Sequence, residues 1–164
     1  MTLAELNALD EAGFVAALDG IFEHSPWVAA RVAQQRPFAG IAALHAAMVA
    51  AVAAEGEAAG LALLRAHPML AKRAPLTAAS AAEQASQRLD RLAGAEAAEF
   101  AALNQDYLDR FGFPFIIAVR GQRDRAAILA ALRARLAGTP AREQQTALAE
   151  VAKIAWFRLE DRIA

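Results

Sequence analysis

Cysteine is absent from this chain of 164 residues, which excludes disulfides, thiolate metal sites and any nucleophilic thiol. That absence suits a cytoplasmic protein. An excess of one charge is also missing: 17 basic and 18 acidic side chains leave a formal net charge of -1. No overall field then draws the chain onto nucleic acid or anionic lipid, and neither is expected as a partner. Long hydrophobic runs are lacking as well. The most apolar run, residues 41–54, stops at Glu55, short of the ~20 residues a membrane-crossing helix needs. Neither Met1-Thr2-Leu3-Ala4-Glu5 nor Arg162-Ile163-Ala164 reads as a targeting signal. The three histidines, at 24, 45 and 67, include no pair three or four residues apart, so a His-rich metal site is not expected. Gly112 and Gly121 are isolated and make no phosphate-binding loop.

What the chain does have is helix formers. Ala, Leu, Glu, Arg and Gln dominate, the residues that lose least on entering a helix. The expectation is an all-α, single-domain bundle over 1–164, of about eight helices. Thr2 with Glu5 has capping-box spacing and opens the first. Ser25-Pro26 starts a second, to about Gln35, and Pro37 ends it. A third covers 41–54, with a break over Gly56–Gly60 before residues 61–66. Met69–Ala79 reads as a connector. Ser80 with Glu83 looks like another capping box, beginning a helix that Leu89 and Leu92 carry on to Gly94. Further helices are expected over 96–110, closed by Gly112, over 124–136, and from Thr139-Pro140 onward. The exception is Phe113-Pro114-Phe115-Ile116-Ile117-Ala118-Val119. It is β-branched and aromatic without helical period, and is expected to be extended and buried.

His67, ending a helix before Pro68, can titrate near neutral pH while fixed at a bend. From spacing alone a helix-end histidine that favours the last carbonyls outweighs a catalyst. Ser80, Glu83 and Gln84 place a hydroxyl, a carboxylate and an amide within one turn, a set able to bind ureido groups, or simply to cap a helix. The 115–119 segment either fills core or lends its backbone N–H and C=O groups to a ligand. Arg110, Arg120 and Arg158 read first as surface residues, although any of them can grip a carboxylate in bidentate fashion.

Five segments together resemble the 2-oxo-4-hydroxy-4-carboxy-5-ureidoimidazoline (OHCU) decarboxylases. They are Phe22-Glu23-His24-Ser25-Pro26-Trp27-Val28-Ala29, Leu63-Leu64-Arg65-Ala66-His67-Pro68, Ser80-Ala81-Ala82-Glu83-Gln84, Leu103-Asn104-Gln105-Asp106-Tyr107 and the run from Arg110 through Phe113-Pro114-Phe115 to Gly121. Their order and separations match over nearly the whole chain. The resemblance implies a cofactor-independent carboxy-lyase of urate breakdown that makes (S)-allantoin and carbon dioxide, and a cytoplasmic homodimer. It gives His67 and Glu83 the catalytic roles. It assigns substrate contacts to Pro68, to Ser80, Ala81, Ala82, Glu83 and Gln84, to Phe115, Ile116, Ile117, Ala118 and Val119, and to Arg158. Two departures, Met69 where many members carry an acidic residue and a short 70–79 connector, bear on pocket shape and substrate preference.

The implied substrate needs no external electron sink, because its own ring carbonyl and imine delocalise the pair left by carbon dioxide. The protein has only to bind, orient and handle protons. Two rival readings remain: a non-catalytic helical interaction module, and a decarboxylase of a related carboxylated heterocycle. The first does not require His67, Glu83 and Phe115 to converge, whereas an enzyme does.

Overall fold

Helix starts and stops follow side-chain chemistry along the whole chain. The computed structural model describes residues 1–71 and 76–164, and among them there are nine α-helices and no strand. They are α1 (Leu3–Ala8), α2 (Glu11–Ala17), α3 (Trp27–Val32), α4 (Ile41–Ala54), α5 (Glu57–Arg65), α6 (Ala78–Ser86), α7 (Gly94–Phe111), α8 (Arg125–Leu136) and α9 (Pro140–Arg162). The fold is all-α, as expected. Both halves of the Thr2/Glu5 capping box form. Asp10 and Asp124 cap α2 and α8 by accepting the N–H of Gly13 and Ala127. Gly112 closes α7 at φ +75, a left-handed conformation that costs other residues a Cβ clash.

Contacts divide the chain into two compact units, residues 1–66 with 152–164, and residues 67–151. In the first, α3 packs on α4 and on α2, and Leu6, Phe14, Val28, Leu44 and Leu159 are fully buried. Helix α4 meets α5 at a 113° bend, made at Gly56 with φ +87. The break is therefore a single glycine, and Gly60 is helical. No single helix among the described residues is long and apolar enough to cross a membrane. The end of α9 is tied to the loop after α2: Arg158 Nη1 donates to the Gly20 carbonyl and to Glu23, both at 2.7 Å, and Arg162 Nη1 donates to the carbonyls of Ala17 and Asp19.

In the second unit α7 packs on α8, and α6 on a 3-10 turn at Val119–Gly121. The core is aromatic. Tyr107 stacks edge-on against Phe113 and Phe115, with ring centroids 5.9 and 5.4 Å away. Residues 113–118 form no helix, and 113–119 are all buried, so the extended segment is real and runs into the 3-10 turn at Val119.

Two helix boundaries in this unit differ from the sequence reading. Ser80 is not a cap: α6 begins at Ala78 behind Thr77, whose Oγ1 accepts the Ser80 N–H at 3.2 Å. Threonine offers the same capping oxygen three residues earlier, and spacing could not choose between them. Nor does that helix continue to Gly94. It ends at Ser86, and Arg88, at φ +56, turns the chain into a 3-10 turn at Leu89–Arg91. The assignment predicts that Thr77→Ala costs about 1 kcal/mol of stability, as cap removal does, while Ser80→Ala carries no capping loss. Urea unfolding of the two variants checks this.

Candidate active site

The peptide chain enters the second unit at His67. Helix α5 closes on itself just before it, where the Ala66 N–H turns back on the carbonyls of Ala62, Leu63 and Leu64. His67 is buried, with 8% of its surface exposed, and Pro68 is half-buried. The other two histidines have different surroundings. His45 Nε2 lies 2.8 Å from the Ala152 carbonyl and its ring packs edge-on against Trp156, while His24 is exposed at φ +47.

Just beyond His67-Pro68, one peptide unit is held from both ends. The Leu70 carbonyl accepts from Asn104 Nδ2 of α7 at 2.8 Å, and the Ala71 N–H donates to Gln84 Oε1 of α6 at 2.9 Å. Asn104 and Gln84 are both buried. The bond fixes the direction of the Gln84 amide. Its oxygen is committed to Ala71, and its Nε2 has no partner among the described residues, so Gln84 presents donors rather than an acceptor. Asn104 Oδ1 is the one buried side-chain polar atom without a hydrogen-bond partner among the described residues, an arrangement that costs roughly 1–3 kcal/mol. Connector residues 72–75 lie outside the described residues.

Helix α6 carries the other polar candidates. Ser80 and Gln84 are buried, Glu83 is half-buried, and Ala81 and Ala82 are exposed on the opposite face. The i, i+4 relation of Ser80 to Gln84 is why one face of this short helix holds both. The same helix reaches the extended segment. It packs on the Val119–Gly121 turn, and Gln87 Nε2 donates to the Gln122 carbonyl at 3.1 Å. The His67–Ala71 stretch, the Ser80–Gln84 face and the 115–121 segment are thus joined through α6 within one unit.

Within that segment the backbone is held on one side. Arg135 Nη1 donates to the Ile116 carbonyl at 2.6 Å, and the Ala118 N–H donates to Glu150 Oε2 at 2.8 Å. Both peptide groups flanking Ile117 are trans, so the Ile117 N–H and C=O point away from Arg135 and Glu150. Neither has a hydrogen-bond partner among the described residues. One residue therefore offers a donor and an acceptor side by side, complementary to a ligand edge in which C=O adjoins N–H.

Behind the segment lies a buried polar set that sequence spacing did not reveal. Tyr107 Oη donates to Glu143 Oε2 at 2.7 Å, and Arg135 Nε donates to the same oxygen at 2.8 Å. Burial, and then the Glu143 carboxylate, push the Tyr107 hydroxyl well above its ordinary pKa, so it stays protonated and donating. Among the described residues no three His, Asp or Glu side chains gather to hold a metal ion. Arg158 lies in the first unit, buried and paired with Glu23.

Comparison with known proteins bears on the same residues. The OHCU decarboxylase family profile matches residues 7–160. The 2-oxo-4-hydroxy-4-carboxy-5-ureidoimidazoline decarboxylase of Haloferax volcanii is 44% identical over 164 residues, covering 100% of this chain and 97% of that one. The uric acid degradation bifunctional protein of Bacillus subtilis is 41% identical over 162 residues, 99% of this chain but 33% of the longer protein. Among solved structures, (S)-allantoin synthase superposes with a TM-score of 0.78 at 36% identity, covering 99% of this chain. The chain spans 54% of that solved protein. A profile match over nearly the whole chain and a relative matched end to end lead to one conclusion: this chain belongs to the OHCU decarboxylase family.

Proposed function

We propose that this chain is a carboxy-lyase that converts OHCU to (S)-allantoin and carbon dioxide in urate breakdown. The observation that carries the reading is the tying together, through α6, of buried His67, the Ser80–Gln84 face and the unpartnered backbone pair of Ile117. An interaction module gains nothing from that convergence. It would instead need an exposed apolar face, and Met1 is the one exposed large hydrophobic residue among those described.

The substrate's chemistry fits these groups. Its ureido and ring amide edges place C=O beside N–H, the complement of the Ile117 pair and of the Gln84 donors. Glu83 is an acceptor for its hydroxyl or ureido N–H, and Pro68 forms part of the wall. In the reaction the bond between C4 and the carboxylate breaks and carbon dioxide departs. The electron pair passes into the adjoining ring C=N, leaving an enol at C4. A proton then reaches C5 as the C4 hydroxyl gives up its own to become a carbonyl, and the ring nitrogen that took the pair is protonated, so one proton is consumed overall. His67 supplies the proton to C5 from one face, which sets a single enantiomer. The protein works as a homodimer in the cytoplasm, a reading carried by the family resemblance and by the absence of cysteine.

The test uses freshly formed OHCU, generated from urate enzymatically, with carbon dioxide release followed as the protein is added. Release above the spontaneous rate and proportional to protein supports the reading, and release at the spontaneous rate refutes it. The committed Gln84 oxygen makes a sharper prediction. Gln84→Glu keeps an acceptor for Ala71 but replaces the ligand-facing donors with an acceptor. KM for OHCU should rise by about tenfold or more, the loss of about one hydrogen bond to a ligand, and the carboxylate introduced at this buried position should also lower the thermal midpoint. Steady-state kinetics beside a melting curve give both quantities.

A further inference from the structure

Decarboxylation as described makes no use of the buried polar set behind the extended segment, yet that set is among the more costly features of the fold. Glu143 and Tyr107 are 3% and 0% exposed, and the Arg135 side chain is 13% exposed. A well-packed apolar set of similar volume is often at least as stabilising as a buried ion pair, so packing alone does not account for it. Its geometry does. The three nitrogens of one guanidinium are each directed: Nε to Glu143 at 2.8 Å, Nη2 to the Tyr107 oxygen at 3.2 Å and Nη1 to the Ile116 carbonyl at 2.6 Å. The guanidinium also lies 4.7 Å from the centre of the Phe115 ring. Only a planar fork with several fixed donors bridges three acceptors in this way.

We propose that Arg135, oriented by Glu143 and Tyr107, is a positioning residue for catalysis: by gripping the Ile116 carbonyl it sets the peptide plane that aims the Ile117 N–H at the substrate. Glu150 does the same for the following peptide through the Ala118 N–H. The held ends and the presented ends belong to the same two rigid planes, so a rotation of either plane misdirects the donor or the acceptor by the same angle. This inference rests on the proposed function for its substrate, but the position of the peptide plane is observable without it.

Two variants and two readouts test the proposal. Arg135→Lys keeps the charge beside Glu143 but lacks the fork. The triple variant Arg135→Met/Glu143→Leu/Tyr107→Phe removes the whole polar set and leaves no buried side-chain group without its partner. Both are measured for kcat and KM with OHCU, for thermal midpoint, and for amide hydrogen exchange at Ile117 and Ala118. The expected result is faster exchange at Ala118 in both, because releasing the Ile116–Ile117 plane loosens the adjoining Ala118 N–H from Glu150. The triple variant should lose up to about 10²-fold in kcat/KM, the penalty of about a 1 Å misplacement, and Arg135→Lys should lose less, neither tracking the melting temperature. Wild-type kcat/KM and unchanged Ala118 exchange in the folded triple variant overturn the proposal. If the triple variant does not fold, the same result in Arg135→Lys overturns it. Should the wild type show no OHCU turnover, the proposed function falls, while the exchange readout still decides the role of Arg135.

Discussion

Replacing His67 with asparagine should lower kcat for OHCU decarboxylation by about 10²–10⁴-fold, the usual contribution of a positioned acid. Asparagine is close in size and keeps hydrogen-bonding capacity, so the buried site and the turn at Pro68 survive, but an amide cannot cycle a proton. The loss should appear in kcat more than in KM, because proton delivery follows binding and is realised in the transition state. Loss of carbon dioxide is assisted by the substrate's own imine, so spontaneous chemistry sets a floor beneath the variant. Stopped-flow measurement of carbon dioxide release, with a thermal melt to show that the variant is folded, checks both claims. Near-wild-type kcat in a folded His67→Asn variant removes the histidine from the mechanism.

The second large effect concerns stability. Arg158 and Glu23 are 7% and 1% exposed and 2.7 Å apart, with Arg158 also donating to the Gly20 carbonyl. Arg158→Ala removes the cation that pairs with the buried Glu23 carboxylate, at a cost of about 3–5 kcal/mol. That is a large share of the roughly 5–15 kcal/mol that holds a domain folded. Removing both charges should behave differently. Glu23→Leu/Arg158→Met takes away the buried charge as well as its partner, and should recover most of the loss. Urea unfolding of the single and double variants gives the comparison. A double variant no more stable than Arg158→Ala contradicts the account.

The fold was largely legible in the sequence because its signals are local. Thr2 with Glu5, Asp124 and Gly112 act on groups within a few residues, and each was found where its chemistry placed it. The extended segment declared itself by β-branched and aromatic residues around Pro114. Local signals failed where two residues offer the same chemistry. Thr77 and Ser80 both carry a capping hydroxyl, and only the structure shows that Thr77 is used. Periodicity failed at Leu89 and Leu92, which keep helical spacing although Arg88 has already turned the chain.

The candidate site was legible only in part, for a related reason. Spacing favoured a helix-end role for His67 and a cap for Ser80 and Glu83, and the family resemblance reversed both preferences. The structure then showed that α6 takes its cap elsewhere. Nothing in the sequence joins Arg135 to Tyr107, Glu143 and Ile116, because those bonds span up to 28 residues and depend on how α7, α8 and α9 are brought together. The direction of the Gln84 amide was equally invisible, since it is set by one peptide N–H 13 residues away. Residue types announce which groups can bind a ureido compound, whereas tertiary contacts decide which end of each group faces it.

Circular dichroism of the allantoin formed from fresh OHCU, recorded beside carbon dioxide release, tests the central claim most directly. The account predicts that added protein accelerates release and that the product carries the full signal of the (S) enantiomer from the first turnover. Racemic allantoin, or optical activity that builds no faster than in the protein-free control, would contradict it.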